Sequence, residues 1–270
     1  MAGRAAVLQL LPLSAAEDER VSPLRGGFPE VVARPSVAAT WFRSYAATYL
    51  ERDVRAVRMV HDLATYRRFM ALLATRAGHM LNRSDIAAPL GVTVPTVSAW
   101  LSILEVTGQV LLVPPFYEDL GKRLVKSPKV YFGDSGLLCH LLGIDTAAEL
   151  ARSPFLGAVF ENFVATEIAK HQLNTGRRIE FYWFRDQQGL EVDFVVPGAS
   201  RALVLLEAKA TTSPRPDMGV PLRKLAEAAH GRKTAAFVVH QGVRGGSAAG
   251  VLCPGVKAIA VGRLSDVLRR

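Results

Sequence analysis

Apolar residues change their spacing along this chain, and the changes divide it into four stretches. The opening "MAGRAAVLQLLPLSAAE" carries a short apolar run and leads into Glu17, Asp18 and Glu19. Residues 1–22 read as one buried strand followed by an acidic turn. In "RGGFPEVV", Gly26, Gly27 and Pro29 make a strong break. From Ser36 to about Ala77 the apolar period is helical. Trp41, Tyr45, Tyr49, Leu50 and Val54 share one face, and Leu63, Tyr66, Phe69, Met70 and Leu73 share the next. Residues 23–77 are expected to form a small helical, lid-like unit.

Residues 78–149 carry a different pattern. In "NRSDIAAPLGVTVPTVSAWLSILEVTG", Ala87, Gly91 and Val97 stand at offsets 0, 4 and 10. A helix-turn-helix needs a small residue where its helices meet, a glycine at the turn and an apolar residue packing the second helix inward. Pro95 suits the first turn of that second helix. "QVLLVPPFYEDLGKRLVKSPKVYF" then reads as two strands around "EDLGKR", the wing of a winged helix. In "FGDSGLL", Asp134 or Ser135 is expected to cap the following helix.

From residue 150 to 270 helix and strand alternate. "FLGAVFENFVATEIAKHQL" and "MGVPLRKLAEAAHG" are helical; "IEFYWFRD", "LEVDFVV", "RALVLLEAKA", "TAAFVVHQG" and "VKAIAVGRL" are strands. This is an α/β unit of ordinary domain size. Trp183 and Tyr182 beside Arg185 would suit base stacking, but aromatics in such a strand are expected in the core.

Half of the 270 residues are hydrophobic, which excludes a disordered chain, and the net charge of +9 allows an acidic partner such as nucleic acid. Two distant cysteines, Cys139 and Cys253, and scattered histidines offer neither a disulfide framework nor a zinc spacing, and suit a cytoplasmic setting. Gln9 and Pro12 interrupt the only signal-peptide-like run, and no apolar run reaches the ~18 residues of a membrane helix.

The chemistry concentrates in "LEVDFVVPGASRALVLLEAKAT". Two apolar strands flank a turn, yet they carry Glu191 and Asp193, then Glu207 and Lys209. Alternation places Asp193 with Glu191 and Val195, and Glu207 with Lys209 and Leu205. Carboxylates brought together repel unless a cation separates them, and a hard ion such as Mg²⁺ takes oxygen ligands of this kind. A lysine beside them would orient water or neutralise phosphate charge, which suits phosphodiester hydrolysis. A solvated Glu–Lys strand edge is the plainer alternative.

Asp193…Glu207-Ala208-Lys209 resembles the PD-(D/E)xK nuclease motif. The resemblance implies that Asp193 and Glu207 bind metal, that Lys209 positions the attacking water, and that Glu161 of the preceding helix assists, with Glu167 as second choice. On a larger scale, "GRAAVLQLLPLS", "GGFPEVV", "YLERDV", "LNRSDIAAPLGVTVPTVSAWLSILE", "KVYFGDSGLL", "GAVFENFVATEI" and "LEVDFVV" make the chain similar to the C-terminal two-thirds of a prokaryotic AAA-type ATPase family. That family carries a winged helix and a restriction-endonuclease-like domain. This sequence has no GxxxxGK[ST] loop, so it implies no ATP site, and Met1 looks like a start inside the parent domain. Arg4 is read as a solvated basic residue ahead of a nucleotide-sensing one.

The expected fold is therefore α/β and multi-domain: an ATPase-domain remnant (1–22), a helical region (23–77), a winged helix-turn-helix (78–149) and a nuclease-like α/β domain (150–270). Residues 84–121 lack Lys and Arg but hold Asp85, Glu105, Glu118 and Asp119, which argues against base reading by the second helix. DNA contact is expected through the wing's basic run Lys122, Arg123, Lys126 and Lys129, with Thr96 as a weak donor; packing between domains is the alternative use of this unit. The expected function is DNA-associated and, with Mg²⁺, nucleolytic; the alternative is a non-catalytic module that binds DNA, a protein partner or a second copy of itself. No membrane partner is expected.

Overall fold

An antiparallel pair of strands, β1 (Val110–Val113) and β2 (Lys129–Phe132), separates two hydrophobic cores. The computed structural model describes residues 9–50, 62–117, 127–229, 231–242 and 250–269. Alternation along the pair decides which core each side chain enters. Val110, Val130 and Phe132 face one core, while Val113 and Tyr131 face the other. The register sets Val113 across from Lys129 and Leu111 across from Tyr131, so Lys129 points into the second half of the molecule. All four residues of β2 are buried.

The first core gathers α1 (Pro29–Ala33), α2 (Ala38–Tyr45), α3 (Leu63–Ala74), α4 (Arg83–Leu90), α5 (Val94–Val106), α6 (Ser135–Leu141) and α7 (Ala147–Arg152). The helical period of the sequence reappears here: Phe69, Met70 and Leu73 are buried on α3, whose N-terminus Asp62 caps. Val54 lies outside the described residues. Asn82 caps α4, Gly91 ends it with a left-handed φ of 67°, and Thr93 caps α5. The turn geometry that only glycine adopts without strain is thus where the spacing placed it. The two helices meet at 111°. Asp134 caps α6, accepting from the Gly136 and Leu137 amides. Among the described residues no single helix is long and apolar enough to cross a membrane; α4 and α5 pass such a test only together, and the bend between them breaks the span.

The second half is a six-stranded mixed sheet, ordered β3 (Tyr182–Arg185), β4 (Glu191–Pro197), β5 (Leu203–Lys209), β6 (Thr234–His240), β8 (Val256–Ala260) and β7 (Gly250–Cys253). β5, β6 and β8 run parallel, and the helix α9 (Val220–Ala228) makes the crossover from β5 to β6. α8 (Leu156–Asn174) and α10 (Leu264–Leu268) cover one face, and α9 covers the other. Trp183 is fully buried, in keeping with the core reading of the strand aromatics. The chain leaving β1 pairs with β3, through Trp183 N–H to Pro114 O at 3.1 Å and Phe116 N–H to Trp183 O at 2.6 Å. The two halves therefore share backbone hydrogen bonds as well as β1 and β2.

Residues 1–8, which hold most of the expected strand, lie outside the described residues, and the stretch that follows them is not a strand. Residues 9–22 contain no strand, and Leu10 is 89 % exposed. They form a strap fixed at a few points. The Leu13 amide donates to Gly27 O at 2.8 Å, the Ala15 amide to Glu167 Oε2 at 2.8 Å, and Lys170 Nζ to Leu13 O at 2.9 Å. Gly27 donates in turn to Asp134 Oδ2, and a Cβ on Gly26 would collide with that carboxylate. Glu167 and Lys170 pair at 3.0 Å inside the protein. Removing one member of a buried pair strands the other's charge. Lys170→Met should cost about 3 kcal/mol in urea denaturation, and Glu167→Gln/Lys170→Met should cost less than the single change. A single mutant as stable as wild type would show that the strap is not held through this pair.

Candidate functional site

The expected charged residues converge at one end of the β4–β5 pair, and a β-bulge brings them there. Val195 of β4 lies across from Tyr182 of β3, but Val192 lies across from Phe184. Three steps on β4 match two on β3, so β4 holds one extra residue. The bulge splits the alternation: Val192 and Val195 enter the α9 side, while Phe194 enters the α8 side. Asp193 turns with Phe194 towards α8. This corrects the grouping of Asp193 with Val195, because a regular period of two does not survive a bulge. The β4–β5 ladder runs from Pro197–Leu203 to Phe194–Leu206. Beyond it the Ala208 amide donates to Asp193 Oδ2 at 2.9 Å, so a side chain stands where a strand partner would.

Lys129 occupies the centre of the cluster. Its Nζ lies 2.8 Å from Glu191, 3.1 Å from Glu161 and 3.9 Å from Asp193, and the residue is 4 % exposed. Tyr131, two residues along the same face of β2, donates its hydroxyl to Glu161 Oε1 at 2.6 Å. The next residue on α8, Asn162, holds the Phe132 backbone from both sides, at 2.6 Å and 3.0 Å. The Lys129 ammonium also lies 5.6 Å from the centre of the Trp183 ring, within cation–π range. Across the cluster, Lys209 Nζ pairs with Glu207 Oε1 at 2.7 Å, while Glu207 Oε2 is buried with no partner.

Electrostatics follow from this crowding. Burial, then the charge of Glu161, pushes Asp193 up to about 7 against the pull of Lys129 and Lys209. Burial, then the charge of Asp193, pushes Glu207 up to about 8. Burial opposes the Lys129 charge, but the charges of Glu161, Asp193 and Glu191 outweigh it and hold its pKa above that of an ordinary lysine. Lys209 is raised in the same way, with Glu207 as its main partner. Four carboxylates thus face two ammoniums, with Arg185 3.8 Å from Glu191 at the outer edge.

The donor set suits a hard divalent cation: oxygen ligands only, more negative than positive charge, and one buried carboxylate oxygen without a partner. The present arrangement gives the central place to an ammonium, and among the described residues no three acids, histidines or cysteines enclose a point where an ion would sit. Of the residues the sequence singled out, Asp193, Glu207, Lys209 and Glu161 act on one another electrically. Glu167, the second choice on α8, is occupied with the strap. Lys122, Arg123 and Lys126 lie outside the described residues. Lys129, expected at a DNA phosphate, is instead buried among carboxylates that attract it more strongly than water does. Thr96 stands in the first turn of α5, its hydroxyl 2.8 Å from that of Thr93. Sequence reasoning missed Lys129 and Tyr131 as members of the site. Their only signal was alternation in "KVYF", which sends both to one face.

Asp193 and Glu207 hold their protons more tightly in the folded chain than in an unfolded one. The stability they contribute is complete below about pH 4 and is lost as pH rises through about 7 and about 8. In metal-free buffer Glu207→Gln should match wild type at about pH 5 and exceed its stability by on the order of 2 kcal/mol at about pH 8. Urea denaturation at both values checks this. An equal gain at both would exclude Glu207 as the titrating group.

Comparison with known proteins matches two successive regions of the chain. Residues 18–148 match a domain of unknown function (DUF8612), and residues 156–253 match a domain of unknown function (DUF4143). The latter is a domain typically found with AAA ATPase-like proteins. The chain is similar to the uncharacterised protein Rv2008c of Mycobacterium tuberculosis and the uncharacterised protein Mb2031c of Mycobacterium bovis. Each is 35 % identical over 193 residues, which is 71 % of this chain and 43 % of the relative. The chain therefore spans less than half the length of these relatives. No solved structure matches it.

Proposed function

We propose that this chain is a DNA-associated protein of the AAA-ATPase type, joining a winged-helix unit to a nuclease-like domain that cleaves phosphodiesters with a divalent cation such as Mg²⁺. The observation that carries the reading is the convergence of Glu161, Asp193, Glu207 and Lys209, from α8 and two adjacent strands, with an unpartnered carboxylate oxygen among them. Asp193 and Glu207 would hold the cation, with Glu161 beside them. A bound divalent ion would polarise the phosphate and lower the cost of forming the attacking hydroxide. Lys209 is partly exposed, its side chain 36 % accessible, so it reaches solvent and can orient the attacking water or offset phosphate charge. The Ala208 amide fixes Asp193 so that its free oxygen stays directed into the cluster.

Charge distribution supports a polyanionic partner. Residues 150–270 hold 17 Lys and Arg against 10 Asp and Glu, and four of those acids are the site's own. Arg177, Arg178, Arg201, Lys224, Lys233 and Lys257 are exposed. Phosphate contacts would thus come from this half as much as from the wing, in a cytoplasmic setting. A second reading, a non-catalytic module that binds DNA or a protein, draws its support from Lys129, whose ammonium stands at the centre of the carboxylates.

Nicking of supercoiled DNA by the full chain, with Mg²⁺ or Mn²⁺ raised to saturation, separates the two readings. Wild type should nick, and Asp193→Ala and Lys209→Ala should each lower the rate by about a hundredfold or more. A folded wild-type chain that nicks with neither metal would leave the interaction module as the function.

A further inference from the structure

The carboxylate cluster already contains a cation, and that cation comes from the other half of the protein. Lys129 begins β2, whose opposite face, Val130 and Phe132, is embedded in the first core. Residues 78–81 pair with the same strand: Gly78 N–H to Val130 O at 2.8 Å, Val130 N–H to His79 O at 3.2 Å, and Leu81 N–H to Pro128 O at 2.8 Å. The position of the Lys129 ammonium is therefore set by the helical half, while Glu161, Glu191 and Asp193 belong to the sheet half. One ammonium supplies a single charge to three carboxylates, and its reach leaves Glu207 Oε2 without a partner. A divalent ion at the same oxygens would supply two. The two cations compete for Glu161 and Asp193, since like charges within a few ångströms exclude each other from a buried site.

We propose that Lys129 is a built-in counter-cation that a divalent metal must displace, so that the position of β2, and with it the helix-turn-helix half, controls metal loading of the carboxylate site. This rests on reading the cluster as a metal site. With Lys129 inserted, the carboxylates are partly neutralised and the chain is held in a metal-poor state. When the Lys129 ammonium leaves the cluster for another anion, the oxygens become available. Glu191 has a different part from the metal ligands: it lies at the outer edge between Lys129 and Arg185, where it holds the lysine in place. It is a positioning residue for the lock.

Mn²⁺ titration of the full-length chain, read by the electron paramagnetic resonance of the free ion, tests the lock without recourse to activity. Lys129→Met should tighten Mn²⁺ binding about tenfold over wild type, and Glu191→Gln should tighten it severalfold. Adding Asp193→Asn to Lys129→Met should abolish the gain. Mn²⁺ should also raise the melting temperature of Lys129→Met by more than that of wild type. If Lys129→Met fails to fold, Glu191→Gln, which keeps the cation, decides the matter. Folded variants that bind Mn²⁺ no tighter than wild type would overturn the lock, whether or not wild type nicks DNA. Tighter binding without any nicking would uphold the lock and remove the nuclease reading.

Discussion

Four carboxylates packed at one end of a sheet cannot remain charged out of water unless a cation joins them. In this protein the cation at the centre is the Lys129 ammonium, and much of the architecture follows from the need to deliver it. The lysine reaches this place from β2, a strand buried along its whole length. Its alternate residues, Val130 and Phe132, fill one core while Lys129 and Tyr131 enter the other side. The same four residues hold two cores in register and neutralise a site. A shift of β2 by one residue would exchange the faces, placing a charge in the first core and a valine among the acids.

α8 serves as the beam against which these fixings are made. Near its start Glu161 and Asn162 grip β2, one through side chains and one through backbone. Six residues further on, Glu167, with Lys170, grips the strap at Leu13 and Ala15. The apolar residues between them, Phe163, Val164 and Ala165, are fully buried. One helix thus carries two glutamates of opposite use. Glu161 is partly open and shares its charge with a site; Glu167 is closed and satisfied by a local lysine and a backbone amide. The contrast is in what surrounds them, since their residue type and helix are the same.

This contrast bears on what the sequence could reveal. Helix periodicity, the glycine at position 91 and the Asp134 cap were legible, because each acts over a few neighbouring residues. Asp193, Glu207 and Lys209 were legible as well, through the order strand, turn, strand, whereas Glu161 was reached only through the resemblance to the nuclease motif, with Glu167 as its alternative. Three features were not. The bulge that turns Asp193 towards α8 depends on pairing with β3, which no local pattern encodes. The strap looks strand-like in composition, but its amide and carbonyl groups are taken by Gly27, Glu167 and Lys170, far away in sequence. Lys129 follows Lys122, Arg123 and Lys126, and as the last member of a basic run it reads as a surface charge. Only the three-dimensional pairing of β2 with β1 takes it out of that run and into the interior.

The same geometry limits how far the two matched regions can be treated as separate units. Lys129 and Tyr131 belong to the first, residues 18–148, and every carboxylate they meet belongs to the second, residues 156–253. The second region alone would hold Glu161, Glu191, Asp193 and Glu207 against Lys209 and a peripheral Arg185. It would either bind cations more readily or keep its carboxyls protonated, as the raised pKa of Asp193 and Glu207 already indicates with Lys129 in place. The first region alone would expose Lys129, Tyr131 and Val113. Charge balance is therefore a property of the joined pair. The boundary that divides the two families in sequence runs through the middle of the site in space.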